Sequence, residues 1–342
     1  MDTSSRLRMI LQRLLQAFPS ILGVIIVTFL LTRALPGDPA AYFAGPAASA
    51  ASIEEVRRNL GLDRSLAEQF WLYLGDLARG ELGQSISTGQ PVLEEVARRL
   101  PASLELTLIA LLLSCCIAIP LGVLAATRPN SWVDQLCRFV VTAGVSLPTF
   151  FTGLLLVFVF YYVLGWAPAP MGRIDIFALP PPHFTGFYTV DALLAGDLET
   201  FRAAAAQIVL PAVTLALFTL APLARMTRAS MLQVLGSDFI RTARASGLNR
   251  RAVLGKYAFR NAMLPVVTTL GMVFSFSLGA NVLVEKVFAW PGIGSYAVEA
   301  LVVSDYAAVQ GFVLTMAILF VLLNLAIDIV YTMIDPRVGM EA

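Results

Sequence analysis

Ser237-Asp238-Phe239-Ile240-Arg241-Thr242-Ala243-Arg244-Ala245-Ser246-Gly247-Leu248-Asn249 stands at the centre of a basic segment, Arg225–Asn261, with a long apolar run on either side. The segment holds eight Lys and Arg residues against one acid, Asp238. Its centre reads as a capped helix, a glycine stop at Gly247 and a second helical start. The flanking runs, Ala203–Ala224 and Asn261–Val284, contain no Asp, Glu, Lys or Arg. Each is long enough to cross a hydrocarbon layer of about 30 Å, which takes about 20 residues of helix. A rigid helical knob of this charge, held between two membrane spans, is a feature for another protein to grip.

Four more stretches free of charged residues lie outward from this centre: Leu14–Thr32, Leu106–Thr127, Phe139–Gly172 and Tyr306–Ile327. The run from Phe139 is too long for one helix and includes Ala167-Pro168-Ala169-Pro170, so the span ends near Gly165. Backbone groups in lipid need partners within their own segment, and no strand alternation of a barrel is present, so six helical spans follow. Composition agrees: 58% hydrophobic and 14% charged residues over 342 positions are wrong for a soluble globule. The fold class expected is all-α, a polytopic membrane protein. The net charge of +1 carries no information about partners. Cys115, Cys116 and Cys137 form neither a disulfide framework nor a metal spacing and read as small core residues.

The positive-inside tendency orients the chain. Arg6, Arg8 and Arg13, Arg128 after span two, and the basic segment after span four share one side if the spans alternate. That side is expected to be cytoplasmic, together with Asp335-Pro336-Arg337. The first outer loop also carries arginines, but it is about 70 residues long and holds nine acids. Loops of that length no longer govern topology. The domains expected are residues 1–34 (N-terminus and span one), 35–103 (an external loop subdomain), 104–334 (the transmembrane core, with external loop 166–202 and basic loop 225–261) and 335–342 (a tail). Leu14–Thr32 is followed by Ala34-Leu35-Pro36-Gly37-Asp38-Pro39 and not by a small-x-small cleavage site, so it reads as a retained signal-anchor.

Within the outer loop, Ile53–Leu60 and Leu66–Ala78 have helical apolar spacing, with Asp63 and Ser65 as candidate caps. The subdomain either seals the outer mouth or meets a soluble partner. Trp166–Arg202, with Pro180-Pro181-Pro182-His183, reads as loop, and the single histidine there reads as solvated. Gly271, Ser275 and Gly279 lie four apart on one face of span five, a spacing for close helix packing. Pro120, Pro148 and Pro211 are positions for a kink or break. Asn281, Asn324 and Asp328 are the costly polar placements, and Asp328, the one membrane-embedded charge expected, reads as a cap near the inner end of span six. No metalloprotease motif, nucleophile elbow, Cys/His cluster or phosphate-cradling Gly-rich loop ending in Lys-Ser/Thr is present. Work done by this chain therefore draws on a partner or an ion gradient.

The run Arg241–Leu248, continuing to Arg260-Asn261-Ala262-Met263-Leu264-Pro265, resembles the cytoplasmic EAA loop of ATP-binding-cassette importer permeases, in particular their dipeptide/oligopeptide branch. Arg13-Leu14, Leu35-Pro36-Gly37-Asp38-Pro39, Arg225–Met231 and Phe288-Ala289-Trp290-Pro291-Gly292-Ile293-Gly294 extend the resemblance over nearly the whole chain, and the loop lengths are similar to those of the dipeptide permease subunit. The general loop begins Glu-Ala-Ala and has a later proline, where this chain has Arg241-Thr242-Ala243 and Arg260. Gly247 is retained, and a left-handed turn between two short helices is cheap only without a side chain.

The resemblance implies a MetI-like, type I importer fold in which two related permease subunits line one path. Two ATPase subunits, which hold the ATP and Mg, dock beneath, and an external binding protein delivers dipeptide or oligopeptide. No cofactor is expected on this chain, and no nucleic acid. Asp238–Arg260 would be the coupling element, with Asp238, Arg241, Thr242, Ala243, Arg244, Gly247, Leu248, Arg250, Arg251, Tyr257, Arg260 and Asn261 at the ATPase. A charged peptide cannot cross a dry pore, so a water-filled path lined by Ser146, Thr149, Ser275, Ser277 and Asn281 is expected. Nickel, glutathione, sugar or antimicrobial-peptide cargo, a stand-alone carrier, and a DNA-reading helix pair remain as rivals. The helix pair is tethered to spans at both ends, which leaves little room to enter a groove.

Overall fold

A computed structural model describes residues 3–34, 38–45, 47–59 and 61–334, and among them the regular structure is helical, with one isolated bridge between Gln84 and Pro91. The helices are α1 (Thr3–Ala34), α2 (Pro39–Ala44), α3 (Ala50–Asn59), α4 (Leu66–Ala78), α5 (Val92–Thr127), α6 (Trp132–Ser146) and α7 (Thr149–Leu156). They continue with α8 (Tyr188–Leu194), α9 (Leu198–Leu235), α10 (Asp238–Ala245), α11 (Arg250–Ala252), α12 (Arg260–Val287), α13 (Ile293–Val302) and α14 (Tyr306–Ile334). π-Helical stretches extend α7 over Val157–Val163 and join α11 to α12 over Val253–Phe259.

Five of the six apolar runs fall wholly on helix, and the third does so as far as Val163 apart from Leu147 and Pro148. Those within α5, α9, α11–α12 and α14 are long and apolar enough to span a membrane, and α6–α7 makes a fifth if the bent pair is one span. In α1 the described part of the apolar run is Phe18–Leu31. The chain is an all-α polytopic membrane protein.

The third run breaks where Pro148 was expected to break or kink it: Leu147 and Pro148 interrupt the helix, and the segments on either side are bent by 103°. Pro148 cannot donate to the helix ladder, and the residue before it is held extended, with Leu147 at φ −112° and ψ 142°. Pro120 and Pro211, by contrast, sit inside the unbroken α5 and α9. One expectation changes at the edge of the external segment. α5 begins at Val92 and α9 at Leu198, so both spans run as continuous helix into segments read from sequence as loop. The expected helices at 53–60 and 66–78 are α3 and α4, and α4 starts with a capping box in which Ser65 and Glu68 satisfy each other's backbone N–H.

Hydrocarbon is as apolar as leucine, so helices in lipid associate through close packing and interhelical hydrogen bonds. The principal pair, α5 and α9, shows both. Small residues face each other, among them Ala118, Ala125, Ala221 and Ala224, all buried. A Cβ on Gly122 would lie 2.7 Å from Thr227 Cβ and 2.9 Å from the Ala224 carbonyl, so only glycine lets these backbones approach. Ser114 Oγ donates to the Ala216 carbonyl at 3.0 Å across the same seam. In span five, Gly271 meets α14 closely, since a Cβ there would overlap Ile327 Cδ1 at 2.0 Å. Gly279 faces open space and takes no neighbour, so the packing face expected from the four-residue spacing is confined to its first part.

The far end of the bundle, opposite the basic segment, is tied by buried acids. Glu105 of α5 accepts from Arg173 Nη2 at 2.6 Å and from Thr189 N and Oγ1 at 2.8 and 2.6 Å. Arg173 also lies over the Tyr188 ring, 3.6 Å from its centroid. Asp191 accepts from the backbone N–H groups of Phe184, Thr185 and Gly186 and from Thr185 Oγ1. Residues 166–202 are therefore a clamped cap containing a helix and not the free loop read from their turn residues; His183 is exposed on it. Asp305 ties residues of the first external segment to the start of α14, taking hydrogen bonds from Ser85 Oγ at 2.6 Å and from Ser87 N and Oγ at 3.1 Å each.

Candidate coupling surface

The basic segment divides into three parts. Residues Arg225–Leu235 complete α9, α10 follows after Gly236 and Ser237, and the turn Ser246–Asn249 leads into α11. Ser237 occupies the N-cap position of α10, but its hydroxyl bonds back to the Val234 carbonyl and makes no cap bond. Gly247 closes α10 at φ +76°, in the left-handed region expected of it. Asn249 caps the second helix, its Oδ1 accepting from Ala252 N at 2.7 Å.

α10 is amphipathic. Ile240 and Ala243 are buried against Val253, Ala258 and Ala262 from the following helix, Met231 of α9 and Ala126 of α5. Asp238, Arg241, Thr242 and Arg244 lie on the opposite, exposed face, where Arg241 and Asp238 form a loose pair at 3.4 Å. Gly247, Leu248, Arg250, Arg251, Arg260 and Asn261 are also exposed. These ten residues are all exposed. Ala243 is buried in the floor of the elbow, and Tyr257 is half-buried against the same apolar cluster, leaving part of its side chain accessible. Phe239 adds an exposed aromatic ring that the charge pattern did not single out.

Beside this surface is a cavity of about 620 Å³ between the ends of α5 and α9 and the elbow, with Thr127, Leu235, Arg244, Leu248 and Leu254 among its lining. One turn above, Asp134 of α6 is fully buried and holds Arg228 of α9 by two bonds, Nε at 2.5 Å and Nη2 at 2.9 Å. Asn130 N and Arg138 Nη2, each at 3.0 Å, complete its partners. The pair joins α6 to the part of α9 that leads into the elbow. Sequence reading missed it because 94 residues separate its members; the local sign is an acid at the first turn of α6 with Arg138 four residues on along the same face.

The residues expected along a path separate. Ser146 is exposed at the end of α6, while Thr149, across the α6–α7 break, and Ser275 are half-buried. Ser277 and Asn281 are each 1% exposed and belong to the interior of this chain. Ser277 donates to the Val273 carbonyl, and Asn281 reaches across to Ser103 and Thr107 of α5, so neither lines an open surface here. One buried charge was not singled out from the sequence. Glu285 is 0% exposed within α12, one residue beyond the apolar run that defined span five. Asn324 is exposed and bonds its own helix at the Phe320 carbonyl. The Asp328 side chain, the Leu35-Pro36-Gly37 signature and the Asp335-Pro336-Arg337 tail lie outside the described residues.

A bundle of membrane-spanning helices that frames a rigid basic elbow at one end defines a membrane transport component. The sequence profile described as "Binding-protein-dependent transport system inner membrane component" matches residues 118–340, and the profile of the N-terminal part of such components matches residues 6–107. The chain belongs to this family of multi-pass inner membrane permeases. It is 46% identical over 317 residues to a probable D,D-dipeptide transport system permease protein of Escherichia coli strain K12, covering 93% of each chain. Over 328 residues it is 39% identical to a dipeptide transport system permease protein of Alkalihalophilus pseudofirmus, covering 96% of this chain and 98% of the relative. A glutathione transport system permease protein of Escherichia coli O6:H1 is 37% identical over 332 residues, 97% of this chain and 99% of its own length.

Proposed function

We propose that this chain is the permease subunit of an ATP-binding-cassette importer that carries dipeptides or short oligopeptides into the cytoplasm. The observation that carries the reading is the exposed face of α10 and its turn, framed by a buried apolar floor and left with basic groups facing outward. The relatives named for dipeptide transport, similar over nearly the full length, support the cargo.

In this reading a second homologous permease completes the path, two ATPase subunits bind ATP and Mg, and an external receptor hands over peptide. The chain has no Gly-rich phosphate loop ending in Lys-Ser/Thr, so hydrolysis belongs to the partners. Both termini and the elbow face the cytoplasm of a bacterium, and lipid covers the exposed apolar faces of the spans. Asp238, Arg241, Arg244, Arg250 and Arg251 orient the ATPase and speed its association more than they add affinity. Closure of the ATPase pair then pushes on α10. Through Ile240 and Ala243 that push reaches α5, α9 and α12, and the bundle passes between inward- and outward-facing states. Ser146, Thr149 and Ser275 are the path residues that remain open to water.

The glutathione-transport relative favours a second cargo of the same class, a short peptide with an unusual linkage. Purified complex reconstituted in vesicles decides both points. ATP-dependent uptake of labelled dipeptide, inhibited by excess dipeptide and not by glutathione, is the expected result. Cargo flux through the lone chain without ATPase subunits would overturn the importer reading.

A further inference from the structure

Gly292 stands at the N-cap position of α13 and offers no side chain to its free N–H groups. Those groups are nevertheless satisfied, from two other helices. Ile293 N donates to Ser103 Oγ of α5 at 2.9 Å, and Ser295 N donates to Glu285 Oε2 of α12 at 2.7 Å. Ser103 Oγ in turn donates to Glu285 Oε1, which also accepts from Asn281 Nδ2 at 3.0 Å. Glu285 is fully buried and makes no ion pair among the described residues; the adjacent Lys286 is turned to Glu299 at 2.7 Å. A buried carboxylate survives without a cation only where several donors converge on it, and here a helix N-terminus is one of them.

The glycines record how closely the carboxylate is held. A Cβ on Gly292 would lie 2.2 Å from Glu285 Oε1, and one on Gly294 2.9 Å from Oε2. Trp290 closes the group by donating its indole N–H to the Ala102 carbonyl at 2.9 Å. The segment Trp290-Pro291-Gly292-Ile293-Gly294 is thus shaped around one acid on the preceding helix.

We infer that Glu285 is a positioning residue for transport: it welds α13 to the far end of α5, so that the far ends of α5, α12 and α13 move as one plate when the bundle is pushed from the elbow. The plate extends to the external segment, because α5 runs unbroken from Val92 and Asp305, just after α13, is bonded to Ser85 and Ser87. Without the weld, α13 would keep its apolar contacts through Ile293, Tyr296 and Ala300 but lose the tie that makes it follow α5. This inference rests on the importer reading, since the push is supplied by partner ATPases.

The test measures distances between spin labels on α13 and α5 in the reconstituted complex, at Val302→Cys and Leu108→Cys, both exposed positions, in a background lacking Cys115, Cys116 and Cys137. In the otherwise wild-type complex the distance should be the same in nucleotide-free and ATP-trapped states; a change between states overturns the inference, whatever any variant does. In Glu285→Gln, whose amide turns a donor toward one of the three donors now meeting the carboxylate, the distance should broaden and become state-dependent. Peptide moved per ATP hydrolysed should fall about tenfold, the scale of one lost charge-assisted hydrogen bond, with ATPase assembly retained. Wild-type distances and wild-type stoichiometry in Glu285→Gln would overturn it as well. Absence of ATP-driven uptake in the unmutated complex would instead overturn the importer reading, and the distance comparison would still report on the weld.

Discussion

Gly247 carries more of the proposed coupling than any charged neighbour, because its φ of +76° sets the angle between α10 and α11. A β-branched side chain in that region costs about 1–2 kcal/mol, enough to shift the turn without unfolding the bundle. Gly247→Val is expected to leave ATP hydrolysis by the assembled complex intact and to lower uptake per ATP several-fold, measured in vesicles. Asp134 and Arg228 answer to a different physics. Removing one member of a fully buried pair costs about 3–5 kcal/mol, and this pair lies at or below that range because Arg228 is partly open to solvent. Arg228→Ala should fall near the lower bound, since Asn130 N–H and Arg138 still reach the carboxylate. Thermal unfolding in detergent checks it, and Arg228→Lys, which keeps charge but loses the two-pronged geometry, should lie between. The glycine was legible in sequence because its turn is local. The ion pair was not, because its partners meet only after α6 has folded back on α9.

At the scale of elements, the apolar core of each span was readable, while its full extent and its neighbours were not. The apolar runs located α5, α9, α12 and α14, while the spacing within Leu66–Ala78 located α4. The break at Pro148 was marked by its residue, but the 103° bend depends on what α6 and α7 each pack against. The segment 166–202 was misjudged for a similar reason: proline and glycine report freedom of the backbone, not the buried Glu105 and Asp191 that remove it. Burial alone would raise the Asp191 carboxyl, but the hydrogen bonds from Thr185, Gly186 and Phe184 outweigh it and hold it below the usual carboxylate range. With a lowered folded value, its contribution is full above the ordinary pKa of about 4 and is lost as pH falls through the lowered one. Asp191→Asn should therefore lose about 1–3 kcal/mol at neutral pH. The difference from wild type, followed by thermal unfolding or by proteolysis of the Phe184–Phe187 turn, should stay constant from about pH 8 to 5 and close only in stronger acid.

For the molecule as a whole, orientation is the prediction with the widest reach. In a background lacking Cys115, Cys116 and Cys137, a cysteine at Ser246 should react with an impermeant maleimide only after the membrane is opened. One at Phe177, which is 90% exposed on the far-end cap, should react in intact spheroplasts. The reverse pattern would turn the elbow away from any cytoplasmic ATPase and end the proposed coupling. By itself the sequence determined that the chain lives in lipid as a helical bundle and that its basic elbow turns at Gly247, since span length, charge placement and left-handed turns are properties of neighbouring residues. Only the tertiary structure decided which polar groups are spent inside. Ser277, Asn281 and Glu285 carry no mark that separates a path from a core, because burial belongs to the helix packed against them.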